Sequence, residues 1–164
     1  MVYNQTIRVV SKDKTITFHN ITEEVKNAVK SSKIKDGIVN IYTHHTTCSV
    51  ITQEQAFDMT IIGLETLQQD FVEVLEKIIP DCKREGIYLH PGQKALTFAA
   101  EHGEDARGCH NTDAHLRSAL VGRSETVAIT NSTVDLGAFG NVYLIDFDTT
   151  RARDRAVQLT VIGE

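Results

Sequence analysis

Four of the seven histidines, His44, His45, His110 and His115, sit beside small polar and acidic residues rather than inside apolar periodic segments. Imidazoles in such company suit proton transfer near neutral pH, or metal ligation. His44-His45-Thr46-Thr47 offers two rings and two hydroxyls in four residues. In extended chain His44 and His45 point to opposite faces, so only one of them faces a given pocket. The plainer reading is a histidine that satisfies backbone groups at a strand end. Glu54 and Asp58 follow shortly after. Either one is placed to cap a helix, where the macrodipole favours a carboxylate, or to reach the pocket of His45 for acid–base work or for holding a divalent cation.

His110-Asn111-Thr112-Asp113-Ala114-His115 is the densest polar run. Asn111 and His115 are four apart and share a face if a helix begins there. His110 and His115 are five apart and diverge, so this is not the HExxH arrangement of zinc proteases. His90-Pro91-Gly92 and Glu101-His102-Gly103-Glu104-Asp105 could add ligands, although an acidic glycine-containing loop is more often simply solvated. Arg151, Arg153 and Arg155 recur at period two, which in extended chain puts three guanidinium groups on one face. Phosphate or pyrophosphate is their natural counter-ion, through bidentate charge-assisted hydrogen bonds. The alternative is a solvated edge strand whose charges discourage aggregation. Asp154 alternates to the opposite face.

The elements that must position these groups follow from periodicity. Gln5–Val10 and Lys14–Phe18 alternate with period two and read as an opening hairpin. Asn20-Ile21-Thr22-Glu23 has the pattern of a capping box, and a short helix follows to about Ser31. Gly37–Thr43 and Cys48–Thr52 are β-branched runs that place the histidine–threonine cluster at or between strand ends. Leu64, Leu67, Phe71, Val74, Leu75 and Ile78 form one stripe of a long helix over Met59–Ile79, stopped by Pro80. Asp81–Gly108 has no sustained period and reads as a long irregular region of the kind that is often functional. Asn111 then caps a helix ended by Gly122, and three strand-like segments close the chain: Thr126–Thr130, Val142–Phe147 and Ala156–Ile162.

That order is too irregular for repeated βαβ units. The expected fold is α+β: a single domain over 1–164, with a mixed or antiparallel β-sheet, one long helix and two short ones. Composition agrees, since 164 residues suit one domain, and 41% hydrophobic with 24% charged residues is ordinary for a globular chain. A net charge of −5 argues against binding nucleic acid by general phosphate neutralisation. No apolar run approaches a membrane span, and Met1–Thr6 lacks the features of a secretory signal, so a cytoplasmic protein is expected. Cys48, Cys82 and Cys109 are odd in number without CxxC spacing and read as reduced thiols. Neither GxGxxG nor GxxxxGK[ST] occurs, which removes the usual support for a Rossmann cofactor site or a P-loop.

Taken together, Thr43-His44-His45-Thr46-Thr47, Ile51-Thr52-Gln53-Glu54, the run from Asn111 to Gly122, Leu136-Gly137, Leu144-Ile145-Asp146-Phe147-Asp148 leading to Arg151, and the closing Val161-Ile162-Gly163-Glu164 resemble the YjbQ-like family, described as secondary thiamine-phosphate synthases. The resemblance implies an α+β fold, a homotrimer and a site of His45, Glu54, Asn111 and His115. The implied reaction couples hydroxymethylpyrimidine diphosphate with thiazole phosphate and releases pyrophosphate. The rival readings are a phosphorylated-metabolite binding protein or a metal-dependent hydrolase that uses the same pocket. His45, Glu54 and His115 are then the expected catalytic residues, with Thr46, Thr47, Asn111, Gly137 and Arg151 binding a small phosphorylated ligand. The same reading makes His45, His115 and Glu54 candidates for a divalent metal, Mg or Zn. Two departures bear on the pocket wall: Ala138-Phe139-Gly140 stands where the family has Thr-Trp-Gln, and Gln53 where it has Asn.

Overall fold

A computed structural model, which describes residues 1–82 and 86–164, arranges the chain as two antiparallel sheets. The larger has the order β1 (Val2–Val10), β8 (Asp154–Gly163), β3 (Gly37–Tyr42), β5 (Ser124–Thr130) and β6 (Thr133–Val134). The smaller has β2 (Thr17–Asn20), β7 (Gly140–Asp146) and β4 (Cys48–Glu54). The expected opening hairpin does not form. β1 pairs with β8, and β2 pairs with β7 in the other sheet. Period-two alternation identifies strands but not their partners, and here the polar connection hands the chain from one sheet to the other.

Four α-helices complete the described chain: α1 (Thr22–Ser32), α2 (Thr66–Ile78), α3 (Gln93–Glu101) and α4 (Thr112–Val121). The long helix starts later than Met59. Its N-cap is Glu65, which exchanges capping-box bonds with Gln68 and also accepts hydrogen bonds from the Ala56 N–H and the Tyr143 hydroxyl. The stretch read as irregular contains α3 and a 3-10 turn over Ala106–Cys109; within it, residues 83–85 lie outside the described ones.

β7 explains the layering. Val142, Tyr143, Leu144 and Ile145 are all buried, so this strand has a core on each face. On one side Val142 and Leu144 join the α1 residues Val25, Ala28 and Val29 and the large-sheet residues Val39, Ile41, Val157, Leu159 and Val161. On the other, Ile145 packs with Leu75 of α2 and Ala114 of α4, beside Phe147. Two connections, Thr43–Thr47 between β3 and β4 and Phe147–Arg153 between β7 and β8, cross from sheet to sheet side by side, tied by the Phe147 N–H donating to the Thr47 carbonyl at 3.0 Å. These adjacent crossovers position the candidate site. Among the described residues no helix is long and apolar enough to cross a membrane.

Candidate functional site

An open cleft of about 390 Å³ lies where the two crossovers meet the first turns of α4. Thr46, Thr47, His45, Asn111 and His115 all line it, so residues about 70 apart in sequence converge as expected. His44 lines it too, its ring 4.2 Å from that of His45. The opposite-face expectation fails because Thr43–Thr47 is not a strand. His90, Glu104, Asp148, Arg153 and Arg155 complete most of the wall.

The floor is a buried ion-pair network. Arg155 donates to Asp146 from Nε at 2.6 Å and from Nη2 at 3.0 Å, and to the Thr47 hydroxyl at 3.1 Å. Both charged residues are buried, which is tolerable only because each is paired and hydrogen-bonded. Asp148 accepts from Asn111 Nδ2 at 3.1 Å and from the Thr150 N–H and hydroxyl at 2.9 and 2.5 Å. The side chain of Asn111 therefore does not cap α4, although Asn111 occupies the N-cap position; it ties the helix start to the β7–β8 crossover. Cys48 lies beneath, fully buried, and burial together with the Asp146 charge pushes its thiol upward, so it is no nucleophile at neutral pH.

The three arginines do not share one fate, because β8 begins only at Asp154. Arg155 is committed to Asp146. Arg151 pairs with Glu104 at 2.9 Å and lines a separate recess with Asp105 and Arg107. That pairing holds the Glu104 carboxyl below its ordinary range. Arg153 lines the main cleft, and its Nε is buried without a hydrogen-bond partner, 3.6 Å from Asp148. At that separation the two attract as charges, but the N–H donor is unmet. The acidic neighbours that relieve the arginines come from the end of β7 and from Glu104, a pairing that sequence spacing does not reveal.

The imidazoles are individually oriented. His45 Nε2 accepts the Ala156 backbone N–H at 3.0 Å. Burial, and behind it the Arg155 charge, hold this ring's pKa below the ordinary value. The neutral ring therefore carries its proton on Nδ1. His115 directs Nδ1 to the Thr46 carbonyl at 3.2 Å, and a carbonyl only accepts, so Nδ1 holds the proton and Nε2 is the acceptor.

Glu54 is not in this cleft. It is exposed near the end of β4, opposite Gly140, in a second recess with Glu125 and Asp135. Gly137, with φ +65°, lies in the β6–β7 connection and also does not line the main cleft. A divalent metal on His45, His115 and Glu54 does not fit one chain, because Glu54 is in a different recess and His45 Nε2 already takes a backbone N–H. Among the described residues no group of three or more His, Cys, Asp or Glu side chains could hold an ion. Sequence reasoning kept His90 only as an optional ligand, took Arg153 as one of three equivalent arginines, and met Asp148 only inside a family motif; the signal for His90 was a histidine in a stretch without periodicity.

Residues 5–164 match the model of the family described as UPF0047 protein YjbQ-like. The UPF0047 protein MJ1081 of Methanocaldococcus jannaschii is 27% identical over 164 residues, covering 100% of this chain and 96% of that one. The UPF0047 protein YugU of Bacillus subtilis is 26% identical over 147 residues, covering 90% of this chain and 89% of the relative. Among solved structures, a YbjQ-like protein of unknown function from Sulfolobus solfataricus superimposes with a TM-score of 0.77 at 21% identity, covering 100% of this chain and 99% of that one. An uncharacterised protein of the same family from Clostridium acetobutylicum gives 0.69 at 25% identity, covering 95% and 99%.

Proposed function

The chain belongs to the UPF0047 YjbQ-like family, and from that membership and the chemistry of the cleft we propose that it binds a small phosphorylated ligand and carries secondary thiamine-phosphate synthase activity. The observation that supports this most is the unmet Arg153 Nε donor in a cleft that also holds four imidazoles. The Nε itself is buried, so a phosphate engages the exposed part of the guanidinium through charge-assisted hydrogen bonds and meets the Nε donor only by drawing the side chain toward it. In the proposed reaction the bond from the pyrimidine methylene carbon to the diphosphate oxygen breaks as the thiazole nitrogen bonds to that carbon. Charge grows on the leaving diphosphate, where Arg153 stabilises it. His115 Nε2, the acceptor, takes a proton from the pyrimidine's exocyclic amine as that bond breaks and returns it once the carbon–nitrogen bond has formed, and the Nδ1–H of His45 helps orient the anion. Asn111 holds Asp148 beside Arg153, and Thr47 holds Arg155 in place. Arg151 reaches a ligand only by exchanging Glu104 for it.

Supplying hydroxymethylpyrimidine diphosphate and thiazole phosphate to the purified protein tests the reaction. Thiamine phosphate and pyrophosphate should form in equal amounts, and His115→Gln should reduce the rate by a factor on the order of 10²–10⁴, the usual contribution of acid–base catalysis. Tight binding of the phosphorylated compounds without turnover would favour the binding-protein reading. We also propose a homotrimer, supported by the exposed apolar side chains Phe57, Met59, Ile61, Ile62 and Phe139. The hydrogen bond from the Gln55 N–H to the Phe139 carbonyl joins the two loops that carry them.

A further inference from the structure

We propose that His90 is a ligand-contacting residue that, paired with His115, gives the cleft an acceptor end, so that the preferred ligand carries an N–H or O–H donor in addition to its phosphate. This rests on the phosphorylated-ligand reading and specifies which phosphorylated compounds the cleft selects. Thr112 sets the protonation of His90. Its hydroxyl has one proton, and that proton goes to the His90 carbonyl at 2.7 Å. The same oxygen lies 2.9 Å from His90 Nδ1, so with the hydroxyl proton spent, Nδ1 must be the donor. His90 is thereby fixed with its proton on Nδ1 and a lone pair on Nε2, the state that the Thr46 carbonyl imposes on His115. The two rings meet edge to face with centroids 5.6 Å apart.

One helix organises both bases. Thr112 and His115 are three apart on α4, so the first turn that sets the His90 tautomer also carries its neighbour. Burial and the neighbouring His115 and His110 rings push the His90 pKa down, which keeps the ring neutral at physiological pH. The other cleft groups are opposite in character. Arg153 lines the cleft with a partly exposed guanidinium, and His45 has its acceptor nitrogen taken by Ala156, leaving Nδ1–H as a donor. A bare inorganic anion uses only the donor side. A phosphorylated aminopyrimidine, whose exocyclic amine is an N–H donor, uses both.

The test compares two probes, pyrophosphate and an aminopyrimidine phosphate, by isothermal titration against wild type, His90→Phe and Thr112→Val. His90→Phe keeps an aromatic ring and removes the acceptor, while Thr112→Val removes the tautomer lock and leaves the ring. Both variants should weaken the aminopyrimidine phosphate by tenfold or more and change pyrophosphate less than twofold, since a ligand donor left without its acceptor costs about that much. Equal losses for both probes, or none for either, would overturn the proposal. Imidazole ¹⁵N shifts of the wild-type protein at about pH 8, where histidines are neutral, supply the arm independent of any ligand. His90 and His115 should be protonated on Nδ1, and Nε2–H on His90 would overturn the assignment. Wild type that binds neither probe, with the expected tautomers intact, would sink the phosphorylated-ligand reading, and with it the aminopyrimidine selectivity, while leaving the imidazole pair in place.

Discussion

Arg155 and Asp146 show what single residues contribute. The pair is buried to 5% and 0% exposure, so Arg155→Ala leaves a carboxylate in the interior without its counter-charge. That change should cost about 3–5 kcal/mol, read as a lower urea midpoint at unchanged slope; a loss below about 1 kcal/mol, the scale of a surface pair, would contradict the buried network. His45 makes a pH-dependent contribution. Burial and then the Arg155 charge hold its pKa below the ordinary 6.5, and burial moves His19 and His90 the same way. Between the lowered values and 6.5 the unfolded chain binds more protons than the folded one, so stability falls as the pH drops through that window. Melting temperature followed from pH 7.5 downward, approximately to 5, should decline, and His45→Asn should decline less steeply. The meeting of His45 with His115 was legible because both lie in dense polar runs. The place of His44 was not, because the period-two argument holds only for extended chain.

At the scale of elements, strand identities were readable from β-branched alternation, and α4 from its cap position and Gly122. Partners were not readable. Nothing local in Gln5–Val10 says that it pairs with the far end of the chain. The β3–β8 pairing shows the same dependence on distant sequence, since Gly37 lies opposite Gly163. A Cβ added to Gly37 would stand 2.1 Å from the Ile162 carbonyl oxygen and 2.8 Å from the Gly163 Cα. Both are backbone atoms that cannot rotate away. Gly37→Ala should therefore force the strands apart and destabilise by about 1–3 kcal/mol, the usual cost of overpacking. Hydrogen exchange should show the loss first in β3 and β8, and unchanged protection there would refute the close approach. The late start of α2 has a similar origin: Glu65 is drawn to Ala56 and Tyr143, which fixes the cap six residues after Met59, and the expected stripe divides, with Phe71 and Leu75 packed inward and Leu67, Val74 and Ile78 exposed.

For the whole molecule, the proposed trimer predicts a mass of about three chains by light scattering at micromolar concentration, and Ile61→Asp should shift it toward one. Ile61 is fully exposed in the single chain, so its substitution tests association without disturbing the core. Wild type at one chain mass would contradict the trimer. The acidic composition had already argued against nucleic acid. The cleft adds that its positive groups are local, with two arginines among the described residues lining it and one of them neutralised by Asp146.

The proposed phosphorylated ligand is held in this cleft by Arg153, whose Nε donor is unmet. Isothermal titration of pyrophosphate into wild type, Arg153→Ala and Arg151→Ala tests it most directly. Arg153→Ala should weaken binding by 1.5–3 kcal/mol, on the order of a charge-assisted hydrogen bond, and Arg151→Ala by less, because Arg151 is already paired with Glu104. Equal affinity for wild type and Arg153→Ala, with unchanged thermal stability, would contradict the account.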